Sequence, residues 1–453
     1  MMKTSIMFMQ YIRLGANEAM LQEFPYAVGQ GEQNYAQRVE AVVGGFNLLS
    51  AVILSLLIMA GILLFKSAGT DRNQVIWIAL LVIFLINQIY WFIQLQLQAR
   101  KKFIALSKMT LGFALFSTSL GVLMAYCFGL YGLLAGLALS YVAMILSSSE
   151  GKSPLPKPAW DTSLVWKLVK IGFPIMLSQA FYILLLNVDK LIIWISMQKE
   201  DLGIYSIQSY IISIIILFPT VVSMVLYPNL MEDLGKNRHA NNLQDYLTKT
   251  TQILAYVVTP LLGVLFIIIH LPIQWLLPQY VSAVVPSQIL ISSSFFLVIS
   301  RMPAVILISM NRQTLLIAMT LPAILCGVSV DWALIETGKG IAGVAVGTSI
   351  SFILYAMLTI IASLRCIKVT LKDSIAFALK LFTPYAIVGM LLALTLFLVP
   401  TVQDQWISDL MCTILKTVVL ILLIGIVYYL ISQKFGSADR QGIFNINVHS
   451  NLQ

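Results

Sequence analysis

VIWIALLVIFLINQIYWFIQLQLQ, from Val75 to Gln98, runs 24 residues without a charged side chain and then stops on Ala99-Arg100-Lys101-Lys102. A helix needs about 20 apolar residues to cross the roughly 30 Å hydrocarbon layer of a bilayer, so this stretch is one crossing. The basic triplet marks the face on which it ends. The same unit recurs along the chain, with candidate spans at 3–22, 41–65, 75–98, 106–127, 129–148, 171–197, 203–229, 250–276, 284–309, 313–333, 340–364, 375–399 and 409–432. These runs are too long for strands and do not alternate. Irregular backbone would leave amide groups unsatisfied in lipid, so helices are the solution. The expectation is an all-α integral membrane protein of about 13 transmembrane helices. Its first span is interrupted by Arg13, Asn17 and Glu18.

Basic residues gather on every second loop. Loops 25–40, 99–108, 150–170, 231–249, 310–312 and 365–380, with the tail 433–453, hold 19 of the 28 Lys and Arg residues. The opposite loops hold only Lys66, Arg72, Lys199 and Lys339, while Lys3, Arg13, Lys190, Arg301 and Lys416 fall inside spans. By the positive-inside rule the basic face is cytoplasmic, and so is the C-terminus.

Composition leads to the same class. The chain is 59% hydrophobic and 10% charged, with a mean hydropathy of +0.90, outside the range of soluble domains. The net charge of +9 is a topology signal facing anionic lipid and does not point to nucleic acid. Cys127, Cys326, Cys366 and Cys412 are scattered, with no C-x-x-C or His pairing, so no metal, cofactor or disulfide framework is expected. Met1-Met2-Lys3 leads straight into an apolar segment with no A-x-A cleavage site.

A Pro-rich stretch, Glu150 to Asp161, reads as a hinge between two bundles, followed by a short interfacial helix from Ser163 to Lys170. The segments beside it repeat. Leu21–Glu32 parallels Val225–Lys236, with Pro25 opposite Pro228, and Gly132 lies opposite Gly340, at offsets of 203 and 208. Parallel repeats are a transporter architecture with the substrate path between the halves. The expected organisation is a first lobe at 1–149, a linker and interfacial helix at 150–170, a second lobe at 171–365, and an added helix pair with tail at 366–453. By the offset, the counterpart of span 171–197 would precede Met1, so the first helix of the first lobe is expected to be missing.

These features resemble the polysaccharide-export branch of the multidrug/oligosaccharidyl-lipid/polysaccharide exporter superfamily, within which the O-antigen flippases look closest. The residues that carry the resemblance are Ile171 to Gln179, Asn187-Val188-Asp189-Lys190, Leu202-Gly203-Ile204-Tyr205-Ser206, Leu14-Gly15 before Pro25, and Gly340 to Ala345 after Asn311-Arg312-Gln313. The order and spacing of a G-x-P helix start, an Asp-basic pair and a G-x-Y-S turn are what resemble that family. The resemblance implies a V-shaped, two-lobed bundle of about fourteen helices around a cationic cavity. It also implies a flippase that moves undecaprenyl-pyrophosphate-linked repeat units across the bacterial inner membrane by alternating access. Its expected partners are a lipid-linked oligosaccharide, membrane lipids and polysaccharide assembly proteins.

Flipping breaks no bond, so the informative residues are charges within spans, each of which costs roughly 2.5–3.5 kcal/mol at a helix centre on insertion scales. Arg301 lies eleven residues before Arg312, hence about 16 Å deep at 1.5 Å per residue, next to Pro303. It is either an anion-binding group or one half of a buried pair. Arg13 lies twelve residues before Pro25, beside Asn17 and Glu18. It is either a second cationic contact or part of a polar cluster with Glu18. Asp189 reads as half of an internal salt bridge, whereas Lys190, on a stripe with Gln179 and Asn187, is left open. Lys416, about seven residues inside its span, reads first as an interfacial lysine that snorkels and second as a cavity group. Tyr205, Gln208 and Ser209 line a helix start as exit-path or interhelical groups.

Two other classes compete with the flippase. A multidrug or cation antiporter of the same superfamily would rely on an acidic cation site instead of arginines. A membrane polymerase or lipid-dependent glycosyltransferase would need acids on a large outer loop, and the outer loops are short and poor in acids.

Overall fold

The computed structural model describes residues 13–64, 71–147, 159–236, 241–399 and 406–435. The regular elements among them are helices: α1 Ala16–Gly29, α2 Gln33–Leu64, α3 Asp71–Ala99, α4 Phe103–Ser147, α5 Thr162–Leu185, α6 Val188–Ser196 and α7 Lys199–Lys236. They continue as α8 Asn241–Ile268, α9 His270–Leu276, a 3-10 turn Pro278–Ala283, α10 Val284–Ser309, α11 Gln313–Glu336, α12 Gly340–Ile367, α13 Leu371–Leu398 and α14 Trp406–Phe435. Among the described residues eleven stretches are long and apolar enough to cross a membrane. One of them is the 45-residue α4, whose length is more than twice what a bilayer needs. It turns at Gly129, where φ is 59° and ψ is −137°, a conformation open to glycine and strained for other residues. Its two halves fold back so closely that a Cβ on Gly136 would lie 2.9 Å from the Leu120 carbonyl oxygen. The expected pair of spans at 106–127 and 129–148 is therefore present. This is a multi-pass, all-helical membrane protein.

Two sequence boundaries differ from what the helices show. The first half of the span expected at 3–22, residues 3–12, lies outside the described residues. Leu14 and Gly15 have positive φ, and α1 begins only at Ala16. The separate interfacial helix expected from Ser163 to Lys170 is the first part of α5, which continues through Pro174. Asp161 starts it by accepting from the Ser163 and Leu164 amides at 3.1 and 3.2 Å. Hydrogen bonds from the Ser163 side chain first, then from the Leu164 amide and nearby Arg38, hold its carboxyl below the usual range. Residues 150–158 of the Pro-rich hinge lie outside the described set.

By contact the chain forms two compact units. The first is Met1–Gln179 with Met224–His239, and the second is Ala180–Ser223 with Ala240–Gln453. In the first unit α1 packs on α2 and α3, and α3 on α4. Four of the loops assigned to one face by their basic residues meet there through ion pairs. Arg38 pairs with Asp161, Arg100 with Glu40, Lys167 with Glu23 at 3.1 Å, and Glu232 with both Lys101 and Lys236. The two repeated segments touch in the same unit. A Cβ on Gly29 would collide with the Glu232 carbonyl, and one on Gly235 with the Tyr26 carbonyl. In the second unit α10 packs on α12 and α8, α11 on α12, and α13 and α14 on α8.

The Gly29–Gly235 crossing gives a stability test. Gly235→Ala should lower the melting temperature of the purified protein, with an overpacking cost of about 1–3 kcal/mol. Gly203→Ala, where nothing lies within 4 Å of an added Cβ, should leave it unchanged. Equal melting of the two variants would show that the helices separate without cost.

Candidate functional site

The second unit carries two polar constellations inside its helices. In the first, Asn187 leaves helical geometry (φ −135°) and separates α5 from α6. The break frees the Leu186 carbonyl, which accepts from Lys190 Nζ at 3.0 Å. The same ammonium donates to Asn187 Oδ1 at 3.0 Å and lies 3.6 Å from Asp189 Oδ1. Three acceptors thus meet three protons, so Lys190 holds the break together. Asp189 is 2% exposed and accepts from the Lys190 amide at 2.8 Å and from the Tyr205 hydroxyl at 2.9 Å. Tyr205 Oη also lies 3.3 Å from Thr348 Oγ1 on α12.

Asp331 on α11 belongs to the same cluster. Its backbone bond comes from Thr348, and its carboxylate is close enough to Asp189 for the two charges to repel. It is 1% exposed, its Oδ1 has no hydrogen-bond partner, and it fills the space where a side chain on Gly347 would stand. Gln208, also buried, has neither amide atom paired. Asp331 escapes a reading of the sequence because it sits two residues from the end of an apolar run, where an acid passes as interfacial. Of the two roles open to Tyr205, exit path or interhelical contact, the interhelical one is formed.

The second constellation surrounds Arg301 on α10. Its Nε donates to Ser223 Oγ at 3.2 Å, and Tyr182 and Tyr355, with ring centroids 5.7 Å apart, lie within reach of its charge. Among the described residues no carboxylate pairs with the guanidinium, which keeps partial exposure among otherwise buried α10 neighbours. Of the two arrangements open to Arg301, the buried pair is not the one formed.

Arg13 lies in the first unit, 9% exposed. Its guanidinium donates to the Gln88 side-chain Oε1, and Glu18 acts on it only through charge. Lys416 does not reach out of its helix. It is 5% exposed and lines a cavity with His270 and Asp409. Asp189 and Lys190 are thus brought together, while Arg301 and Lys416 occupy separate places in the second unit.

Solved structures share this architecture. The Vibrio cholerae MATE transporter VcmN, in its bent form, matches with a TM-score of 0.65 at 15% identity, over 83% of this chain and 88% of its own. The MATE transporter ClbM in complex with Rb+ matches with a TM-score of 0.64 at 16% identity, over 83% and 87%. A MOP-superfamily transporter from Pyrococcus furiosus, described as having a binding pocket of reversed polarity that suggests a different function, matches at 0.61 and 16%, over 80% and 85%. No curated protein sequence matches the chain. The fold is the one these solved structures share. The pattern of the Polysaccharide biosynthesis protein family matches residues 24–286, more than half of the chain, and the chain belongs to that family.

The Asp189 bonds lead to a second test. Tyr205→Phe removes a donor from a buried carboxylate, and stability against melting should fall by about 1–3 kcal/mol. Tyr210→Phe, at an exposed position on the same helix, should be neutral. Unchanged melting of Tyr205→Phe would mean that Asp189 does not depend on this bond.

Proposed function

We propose that the chain is a flippase that carries a lipid-linked oligosaccharide, of the undecaprenyl-pyrophosphate type, across the bacterial inner membrane, with Arg301 binding its anionic head. The observation that carries this reading is a partly exposed guanidinium within a membrane-spanning helix, without a carboxylate partner among the described residues. An uncompensated charge at that depth is costly unless an anion or water meets it. Family membership supports a polysaccharide intermediate as cargo. The Pyrococcus furiosus protein supports taking pocket polarity as a guide to function within this fold. Arg13 is the second cation of the proposal, held by Gln88. The cargo is moved and not cut, so no catalytic residue is assigned.

The acidic cluster fits a coupling role in the same scheme. Asp189 and Asp331, buried together, repel unless a proton or a monovalent cation joins them, and ClbM is known in complex with Rb+. Here that acidic group lies apart from Arg301, so it supports cation-driven export of an anion more readily than a cationic cargo.

Surface polysaccharide in a strain lacking its own flippase, with membrane abundance measured in parallel, tests the role of Arg301. Arg301→Gln should abolish export at normal abundance. Arg301→Lys should retain much of it if positive potential suffices, and should fail if two-point grip on phosphate matters. Export by Arg301→Gln at wild-type level would make Arg301 a structural residue.

The proposed orientation has 150–170, 231–249 and the C-terminal tail in the cytoplasm. In a background without native cysteines, a membrane-impermeant thiol reagent should leave Ser153→Cys and Ser437→Cys unlabelled in sealed cells and label both after lysis. Strong labelling of either in sealed cells would reverse the orientation.

A further inference from the structure

We infer that the cavity around Lys416 is a second anion site, shaped for the phosphate group of a lipid. The cavity holds about 560 Å³ and is lined by Phe266, Ile267 and Leu396 on its apolar side, and by Gln288, His270, Asp409 and Lys416 on its polar side. It belongs wholly to the second unit, where α8, α13 and α14 pack together. Asp409, Thr413 and Lys416 fall four and then three residues apart, so one face of α14 presents all three.

Charges in this cavity are unequally matched. His270 Nδ1 lies 2.7 Å from the Ile267 carbonyl, which fixes that nitrogen as a donor. Its Nε2 lies 3.2 Å from the Thr413 hydroxyl and 3.5 Å from Asp409 Oδ1. That hydroxyl spends its own proton on the Asp409 backbone carbonyl at 2.8 Å. The Asp409 carboxylate faces that nitrogen, and the two pair as ions only while the imidazole carries both protons. Lys416 has no such match. Its side chain is only 5% exposed, and neither a hydrogen bond nor an ion pair engages it among the described residues. A lysine in lipid usually extends toward the interface; this one is buried and lines a cavity.

An ammonium beside apolar walls matches an amphiphile with a single negative charge next to hydrocarbon. A phosphate ester of a lipid has that form. The second cavity of about 480 Å³, lined by Ser292, Ser293, Ser349 and Tyr385, shares Phe266 and Gln288 with the first, so the two adjoin. Gln288 anchors their common wall through its bond to the Phe266 carbonyl at 3.1 Å. A phosphate on Lys416 therefore has room beside it for the rest of a lipid. The shared chemistry, a phosphate ester on a lipid chain, comes either from a membrane phospholipid or from a polyprenyl carrier. The site stands apart from Arg301 and does not depend on what Arg301 carries.

The test uses the full-length protein in non-ionic detergent and phosphate-free buffer, with melting temperature followed as short lipids are titrated. Dioctanoyl phosphatidylglycerol and farnesyl phosphate are the two probes, and dioctanoylglycerol and inorganic phosphate are the controls. At least one probe should raise the melting temperature of the wild type saturably where both controls do not. Lys416→Met should weaken that probe by about tenfold, the loss of one charge-assisted hydrogen bond, and Lys416→Arg should restore most of it. A stronger effect of phosphatidylglycerol assigns the site to membrane phospholipid, and a stronger effect of farnesyl phosphate assigns it to the polyprenyl carrier. Equal binding by wild type and Lys416→Met, or equal response to dioctanoylglycerol, overturns the proposal. Should Lys416→Met not be recovered folded, Asp409→Asn carries the test with the opposite sign. Removing that carboxylate should tighten probe binding, and unchanged or weaker binding overturns the proposal.

Discussion

Hydrocarbon offers no hydrogen bonds, so every polar group within a span must find its partner in protein or in an enclosed aqueous space. That constraint orders the whole molecule. At Asn187 the chain abandons helical geometry, and the carbonyl released at Leu186 is taken up one turn later by Lys190. At Ser178, Thr259 and Thr359 a hydroxyl returns its proton to a backbone carbonyl three or four residues earlier in its own helix. Where no side chain is wanted, glycine lets backbones approach, as at Gly29 against Glu232 and at Gly235 against Tyr26. Packing by small residues and satisfaction of polar ones together hold the helices of each unit.

The spans themselves were legible because hydrophobic length is a one-dimensional property. Val75 to Gln98 could be read as a crossing from its own residues, and α3 runs from Asp71 to Ala99. The face shared by four basic loops was legible too, since charge placement decides topology locally; Arg38, Arg100, Lys101 and Lys167 each meet an acid on that face. The start of α1 was not. Arg13 and Glu18 read as interruptions of a span, whereas the actual break is the positive-φ pair Leu14 and Gly15, a backbone property that apolarity does not report. The stretch from Ser163 to Lys170 was legible as a helix from Lys167 and Lys170 set against apolar neighbours, but not where that helix ends, since α5 runs on to Leu185.

Site residues were legible as charges but not as partnerships. Depth picked out Arg301, Arg13, Lys190, Asp189 and Lys416, yet depth says nothing about what each one touches. Lys190 proves saturated by Leu186, Asn187 and Asp189, all within five residues of sequence. Asp331 and Thr348 join Asp189 only through the packing of α6, α7, α11 and α12, and their separation in sequence hid the cluster. His270 and Asp409, 139 positions apart, meet across the start of α9 and α14 in the same way.

Sorting the buried charges by compensation separates structural work from binding work. A charge saturated by nearby acceptors, such as Lys190, has already recovered most of its desolvation cost and has little left to offer a ligand. A charge that is desolvated but unmatched keeps that energy in reserve, and a ligand of opposite sign recovers it on binding. By this criterion Lys190 belongs to the architecture, while Arg13 is matched only in part, its Nη2 by Gln88 and its Nε by nothing among the described residues. Arg301 and Lys416 remain, both cationic, one flanked by Tyr182 and Tyr355 and the other by apolar walls with His270. Asp331 is their negative counterpart, with Oδ1 unpaired beside a second acid. Arg301 and the Asp189–Asp331 pair occupy different places in one unit, so on the proposed reading an anionic cargo and a cation do not compete for one site.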